Sequence, residues 1–204
     1  MKVILINGSP RKEGCTYTAL CEVASALEKN GIETEQFHIG TAPVQGCIAC
    51  HTCWKTGKCR FDDMCNELAD KIAASDGVVI GSPVYFAGPA GALCALLDRV
   101  FASATPRFCY KPGAIVVSCR RGGASATFDR LNKYFTISRM PVVSSHYWNS
   151  VHGNKPEEVR RDLEGLQTMR ILGNNMAWLL KNIEAGNPPP EPEPRETTSF
   201  ADGK

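Results

Sequence analysis

Four cysteines crowd the stretch GCIACHTCWKTGKC, residues 46–59, in the pattern C-x2-C-x2-C-x5-C. Cys47, Cys50 and Cys53 at this spacing can wrap one [4Fe–4S] cluster, with Cys59 supplying the fourth thiolate from further along. The same set suits tetrahedral zinc, which would make the site structural and redox-silent. A third reading is a loop of free thiols, serving as a lid anchored by Trp54 or as an oxidation-sensitive switch. The Cys-Pro ending of bacterial ferredoxins is missing. His51 is an alternative ligand or a solvated loop residue. Gly46 and Gly57 ease the tight path of the chain. Asp62 and Asp63, just beyond, suit the start of a helix.

The cysteine stretch lies between elements that alternate regularly. KVILI (2–6) is an apolar, β-branched run closed by Asn7-Gly8-Ser9-Pro10, which reads as a buried parallel strand. Helical spacing follows over 16–29, with Asn30-Gly31 as the stop. The alternation continues with strands at 33–39, 77–83, 113–118 and 141–145. Helices fall at 64–76, 90–101, 124–137 and 156–186, the last with Gly165 and Gly173 as candidate bends. This βαβαβαβαβα order predicts an α/β fold: a doubly wound, five-stranded parallel sheet in three layers over residues 1–186. The Pro- and Glu-rich end, 187–204, reads as a tail that buries too little to fold alone.

Ligands of such sheets bind outside the carboxyl ends of the strands, at the topological switch point. Three loops meet that description. NGSPRKEGCTYT (7–18) carries Ser9, Arg11, Lys12, Thr16 and Thr18 ahead of a helix start. It contains neither the dinucleotide fingerprint nor the P-loop. Hydroxyls, free N–H groups and Arg11 suit one phosphate monoester. GSPVYFAGPAG (81–91) offers Tyr85 and Phe86 as aromatic surface, Gly88 and Gly91 for close approach, and Pro83 to stop the ladder. SCRRGGASAT (118–127) adds Ser118, Arg120 and Arg121 beside Gly122-Gly123. Taken singly, each loop also reads as an ordinary helix cap or turn. Together they fit one flat, monophosphate-bearing ligand, FMN.

GSPRKEGCT, SPVYFAGPAGALCALLDR and CRRGG resemble the NADPH-dependent FMN reductase superfamily of flavodoxin-like flavoproteins. The cysteine stretch followed by RFDDM is similar to that superfamily's iron–sulfur flavoprotein branch. The resemblance spans about residues 1–185. It implies a flavodoxin-like sheet, bound FMN, and a homodimer or homotetramer with flavin sites near subunit interfaces. It places the phosphate on Ser9, Arg11, Cys15 and Thr16. It sets the flavin ring against Pro83, Val84, Tyr85, Phe86 and Gly88, with Gly122 and Gly123 on the other side. Many relatives carry Asn where this chain has Cys15, so one side-chain donor is weaker here.

The implied function is an oxidoreductase that takes electrons from NAD(P)H as co-substrate. Its acceptor is a quinone, a nitro or azo compound, free flavin or a redox protein. The alternatives are an electron carrier fed by ferredoxin and a thiol-based sensor. No His–Asp or Ser–His–Asp arrangement argues for side-chain catalysis; the flavin carries the chemistry. SSHYWN (144–149) is a candidate wall of a substrate pocket, and Cys119 lies in the third ligand loop. Cys21 and Cys94, on helices, read as small buried apolar groups. With 204 residues, 43% hydrophobic, 22% charged and a net charge of +2, nothing selects nucleic acid or an anionic membrane as partner. The expected location is the cytoplasm, because the N-terminal apolar run stops at Gly8 and ten cysteines fit a reducing compartment.

Overall fold

A computed structural model describes residues 1–186, together with 188–191, 193, 194 and 196. The tail expected over 187–204 lies largely outside the described residues. No helix among them is long and apolar enough to cross a membrane.

Strand β1 (Lys2–Asn7) leads through the first ligand loop into α1 (Cys15–Lys29), and β2 (Glu33–His38) follows. The cysteine segment contains one short helix, α2 (Thr52–Thr56), and leads into α3 (Met64–Ala74). Next come β3 (Gly77–Tyr85), the two-residue β4 (Gly88–Pro89), α4 (Gly91–Ala104), β5 (Gly113–Cys119) and α5 (Ala124–Ile137). The chain closes with β6 (Ser150–His152), α6 (Pro156–Val159) and α7 (Leu163–Ala185).

Five parallel strands form the sheet in the order β2-β1-β3-β5-β6, while β4 folds back antiparallel on the end of β3. This is the flavodoxin-like order, in which the connections turn outward on either side of β1. The apolar runs are continuous because both faces are covered. Val3, Leu5, Val79, Ala114 and Val116 pack beneath α1 and α7. Their neighbours in sequence, Ile4, Ile6, Val78, Ile80, Ile115 and Val117, point the other way, into the layer built with α3, α4 and α5. Period-two alternation thus feeds two cores from one strand, and each fully buried Val, Leu or Ile contributes about 1.5–3 kcal/mol of transfer free energy.

Three expectations need correction. The edge strand expected at 141–145 pairs only through a single bridge, Gly113 with Val142. The chain then swings outward and returns at Ser150–His152 to pair with Val117, Ser118 and Cys119. Pro141 offers no N–H to a ladder, and the large side chains of the following segment, Tyr147 and Trp148, stay exposed. The helix expected over 156–186 is two helices. Asp162 breaks it by capping α7, its Oδ1 accepting from the Gly165 N–H at 3.0 Å. Gly165 and Gly173 both lie inside α7, at close-contact sites. A Cβ on Gly173 would stand 2.8 Å from the Val23 carbonyl of α1. Finally, the strand expected at 77–83 runs on to Tyr85: Pro83, opposite Ser118, is the last residue in register with β5 and so stops that ladder, and the two added residues pair with β4 instead.

Candidate functional site

The first ligand loop is held from below by Asn7, the last residue of β1. Its buried side chain donates from Nδ2 to the Lys12 carbonyl at 2.9 Å and accepts from the Ser9 N–H at 3.1 Å. Ser9 Oγ in turn accepts from the Arg11 N–H at 3.1 Å, and the Ser9 carbonyl lies 2.8 Å from His38 Nε2. Gly8 donates its N–H to the Gly81 carbonyl at 2.9 Å, tying the loop to the adjacent strand end. No side chain can stand at Gly8, where a Cβ would meet that carbonyl at 2.8 Å. Helix α1 then starts at Cys15 with Gly14 as a cap that has no side chain to offer. Its first-turn N–H groups are therefore available to an anion.

These features border a cavity of about 140 Å³ at the carboxyl ends of β1, β3 and β5. Of the residues singled out in the sequence, Ser9, Arg11, Cys15, Thr16, Pro83, Val84, Tyr85, Ser118 and Arg120 line it. Thr16 and Ser118, both buried, join the first loop to the third through a 2.8 Å hydroxyl pair. Cys15 donates from Sγ to the Gly153 carbonyl at 3.6 Å, and burial pushes its thiol pKa up. It is therefore a neutral donor here. Cys119 also lines the cavity, with its pKa raised by burial. Gly153 and Asn154 complete the wall. Their place follows from β6, so the misplaced edge strand hid them from the sequence reading. Asn7 and His38 were missed as well, although an Asn between an apolar strand and Gly-Ser-Pro is a signal for a loop-closing side chain.

Lys12, Phe86, Gly88, Gly122 and Gly123 do not line that cavity. Lys12 is exposed and serves the loop through its carbonyl. The other four belong to a raised rim. Tyr85 pairs with Gly88, so Phe86 and Ala87 form a two-residue hairpin turn with φ of 50° and 58°. Such a type I′ turn favours Asn-Gly. Two non-glycine residues there carry strain of about 1–3 kcal/mol each, the kind of cost that gathers at functional sites. The turn leaves Phe86 fully exposed. Gly123, at φ 92°, sits directly beneath it, where a Cβ would come within 2.7 Å of Ala87 Cα. The second and third ligand loops are thus in contact, and only glycine allows it.

The cysteine segment builds a separate cavity of about 190 Å³, lined by all four of Cys47, Cys50, Cys53 and Cys59. Among the described residues, no three His, Cys, Asp or Glu side chains gather closely enough to grip a single ion. The thiols instead surround a space. Cys47 and Cys50 are exposed, and Cys53 and Cys59 half-buried. Hydrogen bonding from Thr52 pulls the Cys50 pKa down, whereas burial and then the three neighbouring thiols push Cys53 up. His51 meets Trp54 in a tilted contact with ring centroids 4.1 Å apart, and Trp54 is 75% exposed, so it does not anchor a lid. Gly57 ends α2 at φ 68° as a left-handed cap.

One residue of this region was not legible in the sequence. Arg99, on α4, is 2% exposed and lines the cysteine cavity. It pairs with Asp63, which also caps α3 by accepting from the Cys65 N–H at 3.0 Å. Asp63 thus starts a helix, as expected, and Arg99 holds its pKa below the usual value. Cys65 is buried beside Cys59, its pKa pushed up to about 12 by burial. Cys21 and Cys94 are half-buried rather than buried, Cys94 packing on the core. From SSHYWN, Tyr147 lines a different cavity with Ser150, His152 and Asp162.

With this geometry established, the sequence model of the NADPH-dependent FMN reductase family matches residues 1–155. The chain belongs to that family. Within it, the chain is 36% identical over 195 residues to an iron-sulfur flavoprotein of Methanocaldococcus jannaschii, covering 90% of this chain and 100% of the relative. This places it in the iron–sulfur flavoprotein branch. RosB, solved with the bound intermediate 8-demethyl-8-formylriboflavin-5'-phosphate, superposes with a TM-score of 0.74 at 17% identity, covering 91% of this chain and 81% of RosB. A flavodoxin from the domain Archaea superposes with a TM-score of 0.62 at 15% identity, covering 89% and 99%. These two show the flavodoxin-like fold, as the strand order does.

Proposed function

We propose that this family member is an FMN-dependent oxidoreductase whose cysteine loop carries a [4Fe–4S] cluster. The observation that carries the flavin half is the meeting of three loops, far apart in sequence, on one cavity. That cavity takes a phosphate and the first carbons of its chain. Arg11, the Ser9, Thr16 and Ser118 hydroxyls and the uncapped start of α1 hold the phosphate. The Tyr85–Gly88 hairpin and Gly122-Gly123 form the rim against which the ring lies, which explains why Phe86, Gly88, Gly122 and Gly123 stand outside the small cavity. When bound, FMN supplies both one-electron and two-electron redox chemistry. The protein contributes position, a dry floor of buried strand ends, and N–H groups facing the ring edge.

The cysteine half rests on the donor set. Four sulfurs on one zinc ion would lie about 3.8 Å apart, from tetrahedral geometry at a Zn–S distance of ~2.3 Å. A cuboidal cluster is larger and needs its thiolates around a space. The arrangement of Cys47, Cys50, Cys53 and Cys59 about one cavity favours the cluster. Such a group supplies single-electron transfer. Phe86 at the hairpin tip, together with exposed Tyr85, Tyr147 and Trp148, offers apolar surface for a second copy, in keeping with a homodimer or homotetramer.

The electron donor separates two roles. NAD(P)H oxidation coupled to reduction of a quinone, nitro or azo compound would make the chain a reductase. Rapid reduction by reduced ferredoxin with slow NAD(P)H turnover would make it an electron carrier. Stopped-flow reduction of FMN-loaded protein, with NADH, NADPH and reduced ferredoxin in turn, tests both. Failure of all three donors contradicts the proposal.

A further inference from the structure

Arg99 sits mid-way along an apolar helix whose neighbouring residues Leu96, Leu97, Val100 and Phe101 are core. A charge placed there costs several kcal/mol unless fully partnered, and a well-packed apolar residue would often serve stability as well or better. Its partners all belong to the cysteine segment and its flanks. Nη1 donates to the Gln45 carbonyl at 2.9 Å, just ahead of Cys47, and to Asp63 Oδ2 at 2.8 Å, just beyond Cys59. The guanidinium lies over the Phe61 ring at 5.0 Å. Nη2 donates to Asp63 Oδ1, and Nε donates to Cys59 Sγ at 3.3 Å. One side chain therefore clasps both ends of the loop and gives one of its N–H groups to a sulfur.

We infer that Arg99 is a positioning residue that tunes the cysteine-bound cluster through the Cys59 sulfur. This rests on the cluster reading above. An N–H donated to a ligating sulfur withdraws electron density from it, and hydrogen bonds to sulfur and local net charge are what set cluster potentials. The buried cation also offsets the negative charge that the cluster gains on reduction. Arg60 lines the same cavity but is exposed, so water screens its effect. Asp63 works against Arg99, because its carboxylate neutralises part of the guanidinium charge.

Two full-length variants separate tuning from tying. Arg99→Lys keeps the charge but loses the fork and the Nε donor. Asp63→Asn keeps a helix cap and an acceptor for Arg99 but removes the opposing charge. Each is reconstituted anaerobically with ferrous iron and sulfide, assayed for both, and titrated potentiometrically with EPR detection. The expected midpoint potential of the cluster lies below that of the native protein in Arg99→Lys and above it in Asp63→Asn. If both variants load fully and neither potential moves, or both move the same way, Arg99 is a structural tie only and the inference fails. If Arg99→Lys does not retain iron, Asp63→Asn decides: a potential at or below the native one overturns the inference. A native protein that takes up no iron and sulfide overturns the cluster reading itself, a result distinct from a loaded cluster indifferent to Arg99.

Discussion

At the scale of single residues, the molecule places few charges where water cannot reach them. The Arg99–Asp63 pair is the clearest case, with side chains 1% and 34% exposed. Asp63 titrates below its reference value of 3.8 in the folded state because Arg99 favours its ionised form. The sign of its linkage follows. The carboxylate's contribution is complete above pH 3.8 and is lost as pH falls through the lowered value. Asp63→Asn, measured without metal, should cost about 2 kcal/mol in urea unfolding at pH 7, a buried-pair penalty reduced for partial exposure. The gap to the native protein should narrow as pH drops below 3.8. A gap independent of pH would show that the carboxylate's charge is irrelevant to the fold. Neither this pair nor the Arg99–Cys59 contact was legible in the sequence. Arginine within LLDRVF reads as the polar side of a helix until the loop that wraps it is seen.

At the scale of elements, the strands and helices that carry strong apolar periodicity were legible, from β1 through α5. What failed lay where pairing or capping decides. The β5 edge is shared between a bridge at Val142 and the three residues of β6, so neither half carries a strand-length pattern. The break before α7 depends on one Asp162 side chain, which also accepts from the His152 N–H at 2.7 Å and so ties β6 to the helix start. The glycines inside α7 are visible in the sequence, but the helix that lies against them is not. Gly173→Ala should cost about 1–3 kcal/mol by overpacking, since the added methyl meets backbone of α1 rather than a mobile side-chain end. Chemical denaturation checks this. No loss would mean that α1 and α7 can separate freely.

At the scale of the whole molecule, a parallel sheet brings the ends of β1, β3 and β5 together, and three loops that were each ambiguous alone become one site. The meeting of the three loops was therefore legible: nine of the fourteen residues proposed for the cofactor line one cavity. The five others divide between an exposed lysine and the rim formed by the hairpin and Gly122-Gly123. The rim's strained turn was invisible in sequence because Phe-Ala is not a pair that announces a type I′ hairpin. The central claim is that the cavity recognises the phosphate of FMN. Fluorescence titration of flavin-free protein with FMN and with riboflavin tests it most directly, in the native chain and in Arg11→Ala. FMN should bind at least tenfold more tightly than riboflavin. Arg11→Ala should forfeit about 2 kcal/mol of FMN binding, roughly thirtyfold, while leaving riboflavin affinity unchanged. Equal affinities for the two flavins in the native chain, or no binding of either, would contradict the account.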